Sequence, residues 1–260
     1  MALTCASCGT QRLLPKAIAN EAAAETLYNE YTGAEPGDSA GFAERMLSRL
    51  EMSGIRFTRG QRVLDVGCGS GLLLETICQR FGCSGHGIDV DRRRVELARA
   101  NSKHARFECG LFDPAKIGGR YDIVIASAVI EHVMNPRQFL AQVGAVLNQN
   151  GSLFILTPNA RSLNYRILRS WWRELLSVGE HIYLFTPESL TRCAATEALE
   201  VVKVSSDFDP SGFRARLDGL RNAAITIWAF YCAGVKRVAA CLASSQRGDI
   251  LFGHFRQRTV

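Results

Sequence analysis

The chain has 260 residues, enough for one α/β domain with additions. Its 47% hydrophobic and 22% charged residues exclude a disordered or fibrous protein, and the net charge of +6 is too diffuse along the chain to indicate nucleic-acid binding. The nine cysteines are an odd number with no secretory signal before them, which favours a reducing cytoplasm over a disulfide framework.

Two cysteines near the start of the chain, Cys5 and Cys8, form a C-x-x-C motif followed by Gly9. This is the pattern of a zinc knuckle, but a closed structural zinc site needs four ligands and no second pair lies nearby in the sequence. The favoured interpretation is a truncated zinc ribbon. A metal ion shared across a homodimer stays open as the alternative.

Residues 15–50 are helix-prone, with a break at residues 33–37 that contains glycine and proline. After the break, apolar residues recur at helical spacing and predict one buried face. These residues are Phe42, Met46, Leu47 and Leu50.

Residues 62–71 predict a buried strand that turns at once into a helix, since Val63, Leu64 and Val66 suit a parallel strand. Three glycines permit that turn and leave no Cβ between the backbone and a ligand. A helix N-terminus behind them offers free N–H groups to a polar or anionic group. Asp65 lies at the end of the strand, where a carboxylate suits a ligand that carries positive charge.

A second acid, Asp89, ends the next apolar run of the chain. It follows the glycines at about the spacing, roughly 20 residues, at which a Rossmann-type unit presents an acid to ribose hydroxyls. The alternative interpretation is a glycine-rich turn with a capping aspartate.

Residues 63–71 resemble the cofactor signature of class I S-adenosylmethionine-dependent methyltransferases. The resemblance runs from about residue 61 to residue 206, includes Glu131-His132 and residues 157–159, and is nearest to the small-molecule branch with the ubiquinone-type O-methyltransferases. It implies S-adenosyl-L-methionine as cofactor. The positions that match cofactor contacts are Asp65, Gly67, Cys68, Gly69, Gly71, Asp89, Val90, Leu111, Phe112, Ser127 and Tyr28.

Strand and helix alternate after the glycine turn, with strands predicted at 107–109, 121–126 and 151–156, a helix at 135–147 and a last strand at 250–255. Together with the resemblance, this predicts an α/β fold with a Rossmann-like, doubly wound, seven-stranded, mostly parallel sheet. Its last strand is antiparallel, and the fold carries a helical N-terminal extension and a helical insertion after the fifth strand.

Two positions of the resemblance concern aromatic contacts to the cofactor. Relatives often place an acid after the third strand, where it meets the adenine amino group, but this chain has Leu111, and Phe112 is predicted to pack on the ring instead. In the relatives, aromatic residues before the first strand can fold over the cofactor as a lid. Tyr28 stands there in this chain, with plain packing onto the sheet as the alternative.

The insertion at residues 158–186 is predicted to roof the acceptor pocket with an apolar helix face that includes Trp171 and Trp172. Residues 223–243 are apolar but are interrupted by Lys236-Arg237, so they are too short and too broken to span a membrane. A helix packed on the domain is favoured there. A membrane-surface or dimer contact stays open.

Two of the five histidines are candidates for the general base. His132 directly follows the fourth strand, where cofactor and acceptor should meet, and His181 ends the roofing insertion. Relatives show a histidine in each place. His181 is the preferred base because its loop faces the acceptor, and a structural role stays open for both. The other three, His86, His104 and His254, are predicted to be structural.

No metal ion is expected at this site. The ubiquinone-type enzymes that the chain resembles carry E-x-x-E-H and use a divalent ion, but Ala128 stands in the place of the first acid. A site that lacks one carboxylate is poor for a hard ion.

The leading function is methylation of a small molecule at a hydroxyl of a natural product, a sugar or a lipid-linked compound, with a histidine as base. The alternatives are C- or N-methylation of a sugar or other metabolite, methylation of a nucleic acid or protein, and a non-catalytic S-adenosylmethionine-binding protein. Methylation of base amino groups usually brings an N/D-P-P-aromatic loop after the fourth strand, and residues 127–130 do not resemble it.

The predicted organisation is an N-terminal extension at 1–55, with the C-x-x-C motif and lid helices, and a methyltransferase domain at 56–260. The domain includes the insertion at 158–186 and a helical segment at 211–245. The expected partners are a small-molecule acceptor and a second copy of the chain, without nucleic acid, in the cytoplasm.

Overall fold

The computed structural model describes residues 2–13, 39–168, 181–207, 246 and 248–258. Several predictions lie outside these residues. They are the helix-prone stretch before the break at 33–37 with the lid residue Tyr28, the tryptophans Trp171 and Trp172, and the helical segment at 211–245 with its apolar stretch at 223–243.

The described residues form ten strands and six helices, numbered here in chain order. The strands are β1 (Ala2–Thr4), β2 (Gln11–Leu13), β3 (Arg62–Val66), β4 (Ser84–Asp89), β5 (Ala105–Cys109), β6 (Tyr121–Ser127), β7 (Leu147–Pro158), β8 (Tyr183–Leu184), β9 (Leu199–Asp207) and β10 (Ile250–Gln257). The helices are α1 (Ser39–Ser53), α2 (Leu72–Phe81), α3 (Arg92–Asn101), α4 (Pro136–Val146), α5 (Leu163–Leu168) and α6 (Pro187–Ala195).

Seven strands form one sheet in the order β5-β4-β3-β6-β7-β10-β9. The pairs among the first five strands are parallel, and β10 is antiparallel to both of its neighbours. The predicted α/β fold with an antiparallel last strand is therefore confirmed. β10 lies between β7 and β9, and such a central strand is covered on both faces, which explains its nearly continuous apolar run.

The helices cover both faces of this sheet, as a doubly wound fold requires. Successive residues of β3 point to opposite faces, so Val63 joins one apolar core and Leu64 joins the other. The first core includes residues of α1, α2 and α3, and the second includes residues of α4 and α6. The strand ends that carry the predicted site are thereby held between two packed helix layers.

The predicted buried face of the helix at residues 42–50 is partly wrong. Met46, Leu47 and Leu50 are buried in the same core as Val63, but Phe42 is 46% exposed. Phe42 lies in the first turn of α1, beyond the stretch of helix that faces this core. Because α1 packs into this core, it belongs to one of the two helix layers. The predicted boundary at residue 55, between the N-terminal extension and the methyltransferase domain, stays a prediction.

The first residues form a hairpin that the sequence did not indicate. β1 and β2 are antiparallel, and β2 also pairs with β8, giving a three-stranded sheet. Leu13 and Leu184 are buried under it together with Ala160. Strands of two or three residues are too short to show an alternating apolar pattern, so the sequence did not indicate this sheet.

None of the described helices combines the length and the apolarity needed to cross a bilayer.

Candidate active site

The glycine turn between β3 and α2 uses backbone conformations that only glycine adopts without strain. Gly67, Gly69 and Gly71 have φ angles of 75°, 54° and 76°. A Cβ on Gly71 would lie 2.5 Å from Cζ of Phe107, and a Cβ on Gly67 would lie 2.6 Å from Cγ2 of Val129. Glycine is therefore required at positions 67 and 71 by both backbone angle and close packing, and at position 69 by backbone angle.

The turn is anchored to the end of β4 by its backbone N–H groups. Those of Gly67 and Cys68 donate to the carbonyl of Ile88, at 2.7 and 3.1 Å. The N–H of Gly69 donates to Oδ2 of Asp89 at 2.7 Å. Oδ1 of Asp89 accepts from the N–H of Asp91 at 2.8 Å.

Asp89 therefore holds the glycine turn in addition to its predicted role toward ribose hydroxyls. Each carboxylate oxygen can accept more than one hydrogen bond, so both roles are compatible. The sequence analysis gave a structural role only as the alternative, a capping aspartate, because spacing along the chain does not reveal which backbone groups a carboxylate meets.

Asp65 lies beside Asp89 and is 3% exposed. Burial, and then the charge of Asp89, raise the pKa of Asp65 to about 8. A positively charged ligand placed between these two acids would favour their ionised forms. Burial likewise raises the pKa of the Cys68 thiol, so this side chain stays neutral and is not a nucleophile.

The apolar residues predicted to contact the cofactor divide into two groups. Val90 and Leu111 follow the carboxyl ends of β4 and β5 and are 58% and 82% exposed, so their side chains are free to cover a ligand at this edge. Phe112 instead packs edge-on against Phe139, with ring centroids 5.9 Å apart. Ser127 is the last residue of β6.

A strained residue follows β6. Ala128 has a φ of 55°, in the left-handed region that a residue with a Cβ rarely adopts, and its N–H donates to the carbonyl of Leu156 at 2.9 Å. The sequence carries no signal for this conformation at an alanine. The strained residue redirects the chain just before Glu131 and His132.

Glu131, His132 and His181 form a cluster although they come from separate parts of the chain. Each offers a ligand atom within 4.8 Å of the others, and the imidazole centroids of His132 and His181 are 4.8 Å apart. Glu131 is fully buried and His181 is 8% exposed. The structure thus brings together the two histidines that the sequence singled out, and adds a carboxylate to them.

Backbone hydrogen bonds hold the two halves of this cluster together. The carbonyl of Glu131 accepts from the N–H groups of Ile182 and Tyr183, at 2.7 and 3.1 Å. The carbonyl of Ile182 in turn accepts from the N–H of Leu13 at 2.9 Å. His181 is therefore placed by its neighbours in β8 and by the N-terminal hairpin.

The same three residues could hold a metal ion. One carboxylate and two imidazoles suit zinc or another first-row transition ion better than magnesium, which prefers oxygen ligands. The expectation that the protein needs no metal rested on Ala128 and did not consider His181 as a ligand. It stays a prediction.

The three histidines predicted to be structural lie away from this cluster. Nε2 of His254 pairs with Oγ of Ser152 at 2.9 Å inside the sheet. His104 pairs with Glu75 at 2.7 Å, and His86 pairs with the hydroxyl of Tyr121 at 2.6 Å. Each has a local hydrogen-bonding role, as expected.

Asn159, in the part of the resemblance at 157–159, received no role from the sequence. Its side-chain N–H groups donate to the carbonyls of Gln246 and Gly248, at 3.1 and 2.6 Å, and its Oδ1 accepts from the N–H of Arg161 at 2.9 Å. Asn159 therefore fixes the start of the insertion to the segment before β10. The sequence could not predict this role, because the partners of the Asn159 side chain lie in two separate segments of the chain.

A family model described as a methyltransferase domain matches residues 37–204, which is more than half of the chain. The chain belongs to this family. The prediction of a class I S-adenosylmethionine-dependent methyltransferase, with S-adenosyl-L-methionine as cofactor, is thereby confirmed at the level of the family.

Among curated relatives, the methyltransferase domain is similar to enzymes of ubiquinone biosynthesis. It is 33% identical to the mitochondrial ubiquinone biosynthesis O-methyltransferase of Homo sapiens over 159 residues, which is 56% of this chain and 43% of that protein. It is 31% identical to the ubiquinone biosynthesis O-methyltransferase of Bradyrhizobium diazoefficiens over 142 residues, which is 51% of this chain and 56% of that protein. The chain thus spans about half the length of these relatives.

A solved S-adenosylmethionine-dependent methyltransferase from Mesorhizobium loti has the same fold, with a TM-score of 0.58. The two chains are 16% identical, and the match covers 84% of this chain and all of the other, 100%. At this identity the likeness shows the fold alone.

Proposed function

We propose that the protein transfers the methyl group of S-adenosyl-L-methionine to a hydroxyl group of a small-molecule acceptor. The observation that carries the proposal is the cluster of Glu131, His132 and His181 at the carboxyl end of β6. β6 pairs directly with β3, the strand that leads into the glycine turn. Acceptor chemistry and cofactor thus share one edge of the sheet, where ligands bind in open α/β folds.

Close packing supports a single continuous site. Gly67 in the glycine turn packs so closely on Val129, in the loop between Ala128 and Glu131, that a Cβ on Gly67 would lie 2.6 Å from Cγ2 of Val129. In the proposed complex, Asp89 accepts from the ribose hydroxyls, and Val90 and Leu111 cover the adenine ring. Asp65 faces the positive charge of the ligand.

Methyl transfer is an in-line displacement, and a weakly acidic hydroxyl must lose a proton as it attacks. In the proposed step, His181 takes the hydroxyl proton and the oxygen forms a bond to the methyl carbon. The carbon–sulfur bond breaks, and its electron pair stays on sulfur as a neutral thioether. In this step Glu131 would orient the histidines and stabilise the imidazolium that results, and His132, which follows β6, lies beside the base.

The proposed reaction needs no added metal ion. A metal ion bound by Glu131, His132 and His181 would supply Lewis acidity that makes the acceptor hydroxyl easier to deprotonate. His181 would then be a ligand, not the base. The two arrangements predict different responses to chelation.

The proposal is tested with methyl-labelled cofactor and a panel of phenols, catechols and sugars. We expect S-adenosylhomocysteine to form only when an acceptor is present, and the label to appear on oxygen by NMR. Label on nitrogen or carbon would support the alternative reaction types. Tight cofactor binding without turnover on any acceptor would support a non-catalytic role. Cytoplasmic location and homodimer formation stay predictions.

A further inference from the structure

The turn of the N-terminal hairpin brings two cysteines together outside the proposed active site. The N–H of Cys5 donates to the carbonyl of Thr10 at 2.8 Å, and the N–H of Gly9 donates to the carbonyl of Cys5 at 2.9 Å. Cys5 and Cys8 are three residues apart in this closed turn, with Cys5 exposed and Cys8 partly exposed. The backbone hydrogen bonds thus close a single turn, Cys5 to Thr10, that contains both thiols.

The surroundings of Cys8 favour its thiolate. Its Sγ lies 3.2 Å from Oγ1 of Thr10. Hydrogen bonds from the Thr10 hydroxyl and the Thr10 N–H, with a smaller contribution from the charge of Arg192, lower the pKa of Cys8. By contrast, burial raises the pKa of Cys78 to about 12. Cysteines that react with oxidants are accessible, have lowered pKa values and lie beside a second cysteine.

We propose that Cys5 and Cys8 are a thiol modification site, which a low-molecular-weight disulfide such as oxidised glutathione converts into an intramolecular disulfide. The Cys8 thiolate attacks one sulfur of glutathione disulfide, forms a mixed disulfide and releases one glutathione thiolate. Cys5 then loses its proton and attacks Sγ of Cys8, which releases the second glutathione. The two cysteines are oxidised by two electrons, and the two glutathiones leave as thiols with the two protons.

The modified turn is joined by hydrogen bonds to the segment that carries His181. The carbonyl of Cys8 accepts from the hydroxyl of Thr186 at 3.4 Å. Nη1 of Arg192 donates to the carbonyl of Ser7 at 2.6 Å. β2 continues from the turn and pairs with β8. A disulfide requires an S–S distance of about 2.0 Å, so its formation must change the position of the Cys8 side chain. In the proposal, this change weakens the contacts of the turn with Thr186 and Arg192 and loosens the pairing of β2 with β8.

The test titrates the full chain with mixtures of reduced and oxidised glutathione and follows the N-terminal peptide by mass spectrometry. We expect a disulfide between Cys5 and Cys8, detected as a peptide mass lower by two hydrogen atoms. Cys5→Ser should stop at a glutathione adduct on Cys8, and Cys8→Ser should react at least several-fold more slowly. Cys109→Ser is the matched control, since it removes an exposed cysteine outside this turn and should change nothing.

Hydrogen exchange measures the link to the active site without any assay of activity. In the oxidised chain, the amides of Ile182 and Tyr183 should exchange several-fold faster than in the reduced chain. Separate glutathione adducts on the two cysteines, or two thiols that stay reduced throughout the titration, would overturn the site. One zinc ion per chain, lost in both serine variants and protecting both thiols, would also overturn it. Equal exchange rates would overturn the link to β8.

Discussion

In the proposed site, the cofactor half, residues 65–89, and the acceptor half, formed by Glu131, His132 and His181, are built in different ways. The cofactor half is one strand–turn–helix–strand unit, and its parts contact each other directly through Gly69 and Asp89. The acceptor half joins two distant segments, and backbone hydrogen bonds to Glu131 hold them together. The first depends on local backbone conformation and the second on the packing of a whole insertion.

This difference predicts different consequences of mutation. Substitutions in the cofactor half should change stability and cofactor affinity together, because the same groups fold the turn and meet the ligand. Substitution of the proposed base, His181, should change turnover while cofactor affinity stays near wild type. His132 is the member of the acceptor half that is also expected to affect cofactor binding.

The largest expected effect is on turnover when the proposed base is removed. His181→Ala should lower kcat by about 10²–10⁴-fold, the usual contribution of general base catalysis. The acidic limb of the pH–rate profile should be lost, because an imidazole is the group that titrates near neutral pH. Steady-state kinetics and calorimetric titration of the cofactor measure the two effects separately.

His132→Ala is the matched control for that variant. It should disturb cofactor binding at least as much as turnover, because its histidine follows β6 directly. If His132→Ala instead loses turnover alone and His181→Ala does not, the base is His132 and His181 holds the loop.

The second prediction concerns pH and Asp65. Its pKa is raised to about 8 in the folded chain, so the folded state binds this proton more tightly than the unfolded state does. The resulting stability is fully present below the unfolded pKa, about 3.9, and is lost as pH rises toward 8. The loss is at most about 1.4 kcal/mol for each pH unit.

Urea unfolding at pH 5, 6.5 and 8 measures this loss in the free energy of unfolding. Asp65→Asn carries no titrating group at this position, so its stability should fall less over the same range. Parallel pH dependences for the two proteins would show that Asp65 stays ionised in the folded state.

The third prediction concerns the glycine turn. Gly71→Ala should lower the free energy of unfolding by about 2–5 kcal/mol, the sum of left-handed strain and of overpacking against Phe107. Gly60→Ala is the control, since Gly60 has a φ of 85° but a Cβ there would meet nothing within 4 Å. It should lose only the strain, about 1–2 kcal/mol. Equal losses in the two variants would mean that Phe107 moves aside without cost.

The fourth prediction concerns cofactor affinity. Asp89→Asn should weaken binding of S-adenosyl-L-methionine by about 1.5–3 kcal/mol, because the ribose hydroxyls lose a charged acceptor. The asparagine keeps one oxygen for the N–H of Gly69, so the turn should persist and circular dichroism should be unchanged. An unchanged Kd measured by calorimetry would remove Asp89 from the proposed cofactor contacts.

The smallest expected effect is that of chelation. Extensive treatment with EDTA should leave turnover unchanged, because the proposed step uses an imidazole and no metal ion. Loss of turnover that magnesium or zinc restores would show that Glu131, His132 and His181 bind a metal. Comparison of the activity restored by each ion would then show which metal these three residues prefer.

The strand and helix pattern of the main sheet was predictable because its signals are local. Apolar runs marked β3 and β6, and the helix predicted at 135–147 is α4, whose N-terminus is capped by the side chain of Asn135. The hairpin β1–β2 and strand β8 were missed. Their strands have two or three residues and depend on each other for pairing.

The candidate site shows the same division. The sequence identified both His132 and His181, but not that their rings lie 4.8 Å apart beside a buried carboxylate. It assigned Asp89 to a ligand but could not show that this carboxylate also holds Gly69. Nor did it indicate the left-handed Ala128, because alanine has no preference for that conformation.

The sequence by itself determined the glycine turn, its two acids and the family to which the chain belongs, because a turn with positive φ angles can be read from the positions of its glycines. Only the tertiary structure decided how the acceptor half is assembled. Its residues are brought together by β8, the N-terminal hairpin and the carbonyl of Glu131, and these contacts join segments far apart in the chain. Backbone conformation is encoded locally, whereas the proximity of distant side chains depends on how the whole domain packs.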